Sequence, residues 1–168
     1  MKIFLIGFMG SGKTSIGKKL AKNLGFKFVD LDHHVEEKAG RSINEIFTEM
    51  GEEKFRDLER EVLEDLESHS QTVIATGGGT PCFSDNMQFM KTSGTTVYLQ
   101  LNGKVILERL ANAKASRPLI KNLNDDELRL FIEEKLNERS PIYQEAHYNV
   151  NAAHISNAVE EIRSLVEQ

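Results

Sequence analysis

The chain has 168 residues, a net charge of −5 at pH 7, 39% hydrophobic and 28% charged residues, values close to the globular average with no low-complexity tract and no repeat at solenoid periods. A chain of this length is expected to form one domain and to bury roughly 70% of the surface its unfolded state exposes. Its acidic balance, with no basic cluster, disfavours a general polyanion surface and points to a small-molecule substrate. The lone cysteine, Cys82, excludes an internal disulfide and a cysteine-rich metal site, which fits a reducing compartment, the cytoplasm by default.

Ile3 to Ile6 is a short continuous apolar run and reads as a buried strand. It is too short for a signal peptide, it leads on without a small-residue cleavage site, and no run in the chain approaches the roughly 20 apolar residues that span a bilayer. Directly after it stands Gly7-Phe8-Met9-Gly10-Ser11-Gly12-Lys13-Thr14, and then a helical pattern from Lys13 to Leu24. Gly-x4-Gly-Lys-Thr between a strand and a helix is the full phosphate-loop pattern in its required setting. Its glycines let backbone N–H groups converge on phosphates, the helix N-terminus adds partial positive charge, Lys13 reaches the β and γ phosphates, and Thr14 offers a hydroxyl to Mg²⁺. No Asn-Lys-x-Asp guanine loop occurs, so ATP is favoured over GTP.

Gly25 stops the helix, and Lys27 to Leu31 reads as a second strand ending in Asp30-Leu31-Asp32. In an extended strand end both carboxylates face one side, one to hold a water on Mg²⁺ and the other to contact an acceptor hydroxyl. The competing reading has one acid merely capping the next helix. Helical patterns occupy about 33 to 39, 43 to 50 and 52 to 68, punctuated by Gly40 and Gly51, with Phe55, Leu58, Val62, Leu63 and Leu66 as an apolar stripe. Arg56 sits among acids there and, taken alone, reads as part of an ion-paired solvated face.

Thr72 to Ala75 is a third strand, ending in Thr76-Gly77-Gly78-Gly79. The triplet offers bare backbone to a bound group, or else is only a flexible turn. A helix is predicted from about Ser84, a strand from Thr95 to Leu101 and a helix over about 103 to 112. A small, polar stretch through Arg117-Pro118 reads as a mobile lid, with Arg117 biased to extended backbone by the proline. An arginine arriving on a lid can stabilise charge on a transferring phosphoryl group. The helix from Asp125 to Arg139 ends its apolar stripe on a charge just ahead of Pro141, and such an arginine calls for an anionic partner. Tyr148 to Asn151 and a helix from about Ser156 close the chain. His33, His34, His69, His147 and His154 form no metal-ligand spacing, and Met9, Met50, Met87 and Met90 read as packing. Strands alternating with helices argue for an α/β fold with a parallel sheet covered on both faces and ligands beyond the strands' carboxyl ends.

Taken together, Gly7 to Thr14, Asp30-x-Asp32, Gly40-Arg41-Ser42-Ile43, Gly51-Glu52-x-x-Phe55-Arg56-x-x-Glu59, Thr76-Gly77-Gly78-Gly79, Arg117-Pro118-Leu119 and Glu138-Arg139-x-Pro141-x-Tyr143 resemble the shikimate kinases over essentially the whole chain. The resemblance implies a P-loop nucleoside-triphosphate-hydrolase-like three-layer fold of the nucleoside monophosphate kinase type, with about five parallel strands, a substrate-binding segment near 32–61 and a lid near 112–125. It implies that Gly10, Ser11, Gly12, Lys13, Thr14 and Ser15 wrap the ATP phosphates, that Thr14 ligates Mg²⁺ and that Asp30 holds the ion through water. Asp32 would contact the shikimate hydroxyls as candidate base, Arg56, Gly78 and Arg139 would hold the substrate, and Arg117 would close over ATP. The implied reaction is transfer of the γ-phosphate of ATP to the 3-hydroxyl of shikimate by a monomer. Another small-metabolite kinase, such as gluconate kinase, and a non-catalytic ATP-binding regulatory module remain the alternatives. The chain departs from the family at Thr80-Pro81-Cys82, where a small or hydrophobic pair usually comes after the glycines.

Overall fold

A computed structural model describes residues 1–117 and 119–168; Pro118, and with it the centre of the Arg117-Pro118-Leu119 motif, lies outside the described residues. The chain runs β1 (Lys2–Ile6), α1 (Lys13–Leu24), β2 (Lys27–Asp30), α2 (Leu31–Ala39), α3 (Ile43–Asp65), β3 (Thr72–Ala75), α4 (Asn86–Ser93), β4 (Thr95–Gln100), α5 (Gly103–Ala113), α6 (Asp125–Tyr143), β5 (Tyr148–Asn151) and α7 (Ile155–Val166). All strand pairs are parallel, in the order β2-β3-β1-β4-β5.

The apolar runs are buried on both faces of this sheet, as parallel strands under crossover helices must be. Because successive side chains point to opposite faces, Ile3, Leu5, Val73, Val97 and Leu99 pack with α1, α5, α6 and α7 on one side. Phe4, Ile6, Ile74 and Tyr98 pack with α2, α3 and α4 on the other. The helix–sheet layer is tight at α1, where a Cβ on Gly17 would lie 2.5 Å from the Phe28 ring. The expected three-layer α/β architecture is the one observed.

The order of the strands also places the site. From β1 the chain first moves to one side, to β2 and β3, and then crosses to β4 and β5 on the other. The crevice at that reversal opens at the carboxyl end of β1, directly above the glycine loop. None of the described helices is long and apolar enough to cross a membrane.

Three boundaries differ from expectation. The second strand stops at Asp30, because the Asp30 side chain accepts from the N–H groups of Asp32 and His33 and starts α2 at Leu31. The break expected at Gly51 is a kink, with φ 82° and ψ 168°, inside a helix whose start is fixed by a Ser42–Glu45 capping box. Helix α6 does not end at Arg139 but runs through Pro141 to Tyr143. Pro141 removes one N–H from the helix, yet the Gln144 N–H still donates to the Ser140 carbonyl at 2.9 Å, and Tyr143 anchors the turn, fully buried with its ring 5.1 Å from Tyr98 and its hydroxyl donating to the carbonyl of Gly78.

Candidate active site

The glycine loop between β1 and α1 is bent by backbone that only glycine adopts readily, with φ 77° at Gly10 and 92° at Gly12, the residue that caps α1. Lys13 folds back over the loop, and its Nζ donates to the carbonyls of Gly7 at 2.7 Å and Phe8 at 2.9 Å. Burial lowers the Lys13 pKa to about 8; Arg117 and Arg139 act in the same direction, against Asp32 and Asp30. Ser11 Oγ is buried with no hydrogen-bond partner among the described residues.

A cavity of about 390 Å³ extends from this loop, lined by Lys13, Thr14, Asp30, Asp32, Gly78 and Arg117 among others. Its acids are not arranged as a strand end would arrange them. Asp30 is the cap of α2, and its second oxygen faces the Thr14 hydroxyl at 3.3 Å. Asp32 is the second residue of the helix, in its first turn, and still reaches the cavity. The capping role and the placement beside the phosphate loop are thus both true of Asp30. A hydroxyl and a single carboxylate suit Mg²⁺, which usually takes one or two carboxylates plus phosphate oxygens and keeps its waters. Among the described residues there is no cluster of three or more acids, histidines or cysteines that would suggest an all-protein cage.

The Asp32 pKa is raised to about 6, first by burial, then by Glu59, with Asp30 and Glu36 adding and Lys13 opposing. Such a carboxylate is ionised at neutral pH and is a better base than an exposed one.

None of the glycines of the triplet has left-handed backbone. Each is there for space, and each yields to a different side chain. A Cβ on Gly77 would lie 3.0 Å from Asp32 Oδ1, one on Gly78 3.3 Å from Arg139 Nη1, and one on Gly79 2.7 and 2.9 Å from the two terminal nitrogens of Arg56. The triplet is therefore a bare floor on which one acid and two arginines converge, and the flexible-turn reading is set aside.

Arg56 pairs with Glu52 at 3.4 Å, as a solvated helix face would have it, but its side chain is only 15% exposed. Its guanidinium lies 3.8 Å from the centre of the Phe83 ring and donates to Glu59 at 2.9 Å. Arg139 stands 5.9 Å from the Phe8 ring, between the phosphate loop and Tyr143. Burial pushes the Tyr143 hydroxyl well above the usual tyrosine range, which keeps it a neutral donor. Arg117 has the extended backbone expected before a proline, φ −121° and ψ 105°, and a buried Nε without a partner among the described residues.

Several residues to which the sequence assigned no role stand in or behind the site. Arg109 lines the cavity and donates to the carbonyl of Gly10 at 3.0 Å; nothing in its helical context marks it. Glu59 and Thr80 are buried behind Arg56. Glu59 does leave a signal, since it falls at helical spacing between Phe55 and Val62, a carboxylate inside an apolar stripe.

The family described as shikimate kinase matches residues 9–168. The chain belongs to the shikimate kinase family. The shikimate kinase of Bacteroides thetaiotaomicron is 43% identical over 173 residues, 99% of either chain. The crystal structure of shikimate kinase from that organism superposes with a TM-score of 0.95 at 42% identity, covering 100% of this chain and 99% of the other. A shikimate kinase from Acinetobacter baumannii, solved in complex with shikimate, is 36% identical with a TM-score of 0.89 over 98% of this chain and 92% of its own. Within the shikimate kinase family the chemistry is phosphoryl transfer, as the phosphate loop implies, and the P-loop kinase fold expected from the sequence is the fold present.

Proposed function

We propose that the chain transfers the γ-phosphate of ATP to the 3-hydroxyl of shikimate by direct in-line displacement. The observation that carries this reading is the convergence of Asp32, Arg139 and Arg56 on Gly77, Gly78 and Gly79, immediately beside the phosphate loop. A relative of the same family has been solved with shikimate bound, and nothing in the site favours gluconate or a non-catalytic role.

In this reading Gly10 to Ser15 cradle the triphosphate, and Lys13 exchanges its two carbonyl partners for β and γ phosphate oxygens. Arg56 and Arg139 hold the substrate carboxylate, for which the planar guanidinium fork is suited. Asp32, ionised above about pH 6, orients the ring hydroxyl and takes its proton. The acceptor oxygen bonds to the γ-phosphorus as the bond to the β–γ bridging oxygen breaks, and ADP leaves. Thr14, and Asp30 through a water, would hold Mg²⁺, which when bound neutralises charge on the β and γ phosphates. Arg117 adds positive charge from the lid near 112–125, over the substrate-binding segment near 32–61. Most of the rate gain comes from positioning and electrostatics, as in other phosphoryl transfers. Residues 1–168 work as one domain, a cytoplasmic monomer whose lone Cys82 is kept reduced.

The test is ADP release with shikimate, with gluconate and with no acceptor, in parallel. The expected result is turnover that requires shikimate; equal release without acceptor would establish an ATPase or sensor instead.

A further inference from the structure

Behind the acceptor side lies a buried polar network with Thr80, the first residue of Thr80-Pro81-Cys82, at its centre. Thr80 is fully buried, and its Oγ1 donates to Glu59 Oε2 at 2.7 Å. Glu59 is 1% exposed, and its other oxygen accepts from Arg56 Nη1 at 2.9 Å. The carboxylate is thus shared between one hydroxyl and one guanidinium. Thr80 is fixed in turn, because its N–H donates to the Gly77 carbonyl at 3.2 Å and its own carbonyl accepts from the buried Asn86 side chain at 2.9 Å. Arg60 completes the network by donating to Asn86 at 2.9 Å and Asp85 at 2.7 Å.

We propose that Thr80 is a positioning residue for the acceptor: by holding one oxygen of Glu59 it fixes the carboxylate plane, and through that plane the guanidinium of Arg56. A buried carboxylate with an unsatisfied oxygen is costly. Without the threonine hydroxyl that oxygen of Glu59 loses its donor, the carboxylate is free to turn, and Arg56 loses the fixed partner of its Nη1. Its surroundings leave Glu59 little choice of another donor. Across the Gly77 floor stands Asp32, which repels it, and Asp30 and Glu36 add to the negative charge there while Lys13 lies beyond, bonded to the phosphate loop. The inference rests on Arg56 acting as a substrate clamp.

Thr80→Val keeps the shape and removes the donor, whereas Thr80→Ser keeps the donor. Steady-state kinetics with shikimate and ATP varied separately should show the shikimate KM of Thr80→Val raised about tenfold, the cost of a hydrogen bond to a charged group. The ATP KM and kcat should stay near those of the parent, and Thr80→Ser should restore the shikimate KM. In a Glu59→Gln background Thr80→Val should add little, because both changes act through one carboxylate. If Thr80→Val does not fold, Thr80→Ala gives the same comparison. An unchanged shikimate KM in the valine or alanine variant overturns the proposal. So does a parallel loss in both KM values that serine does not repair, which would make Thr80 a support of the turn only. Arg56→Ala is the control: if it leaves the shikimate KM unaltered, the clamp itself is wrong, whereas a raised KM there with a normal Thr80→Val removes the Thr80 link alone.

Discussion

The two halves of the site use glycine for opposite reasons. On the nucleotide side Gly10 and Gly12 take up left-handed backbone, and the loop they bend presents main-chain atoms to the ligand. On the acceptor side Gly77, Gly78 and Gly79 have ordinary backbone and serve by lacking a side chain, so that Asp32, Arg139 and Arg56 can lie against them. The first half is a shape made by the chain itself. The second is a shape made by side chains from α2, α3 and α6, each held by further residues behind it. Altering the first should therefore disturb nucleotide binding and backbone stability together, whereas altering the second should disturb acceptor binding without straining the backbone.

The largest effect expected is on the nucleotide side. Lys13→Ala should abolish turnover, a loss on the order of a thousandfold or more in kcat by a coupled ADP assay, if Lys13 neutralises the transferred charge as proposed. Near-normal turnover would break the phosphate-loop assignment and the comparison with it. Next come the two kinds of glycine, set against each other. Gly79→Ala places a methyl 2.7 Å from Arg56 Nη2, the far end of a flexible side chain that can move aside. The shikimate KM should rise about tenfold, as for loss of a charge-assisted hydrogen bond, with the melting temperature little changed. Gly12→Ala, at φ 92°, should instead lower the melting temperature and raise the ATP KM. A reversed pattern in these two variants would show that the distinction between bent and bare glycines is wrong.

The last effect is read in stability rather than in turnover, and concerns the cost of keeping a buried acid, Asp32, on the acceptor side. The folded protein raises the Asp32 pKa from 3.8 to about 6, so the folded state binds the extra proton between those values and stability falls as pH rises through them. Asp32→Asn removes this penalty. It should raise the melting temperature by several degrees at pH 7, from roughly 2 to 3 kcal/mol of relieved burial, and the gain should vanish below about pH 4. A melting temperature equal to or below the parent at pH 7 would show that the acid is better solvated than the geometry implies.

The nucleotide half was readable in the chain because each of its features is local. A strand, a glycine loop and a helix succeed one another, and the φ values demanded of Gly10 and Gly12 leave their mark as residue type. The sheet was readable for the same reason, as short apolar runs alternating with amphipathic helices. The acceptor half draws on residues distant in the chain. Arg56 alone looks like an ordinary partner of Glu52; only the approach of Gly79, the ring of Phe83 and the burial of Glu59 give it a purpose, and none of these is encoded at helical spacing from it except the last. The family resemblance supplied what local pattern did not. Asp30-x-Asp32 was misread in geometry because an extended strand and a capped helix start from similar residues, and the capping bonds decided for the helix at Leu31. Pro141 likewise hid the last turn of α6, which the Gln144 N–H closes onto the Ser140 carbonyl and the buried Tyr143 anchors.

The two carbonyls that hold Lys13 have a bearing on which anions the loop admits. A charged group resting in bulk water would be open to any passing ion, with only hydration to lose. Here the ammonium already has acceptors at 2.7 and 2.9 Å, and a newcomer must displace them. Chloride and other diffusely charged ions offer little over two well-aligned peptide oxygens, whereas a polyphosphate brings several anionic oxygens at once and forms bonds roughly twice as strong as neutral ones. The resting loop would in this sense disfavour weak competitors, through the carbonyls of Gly7 and Phe8.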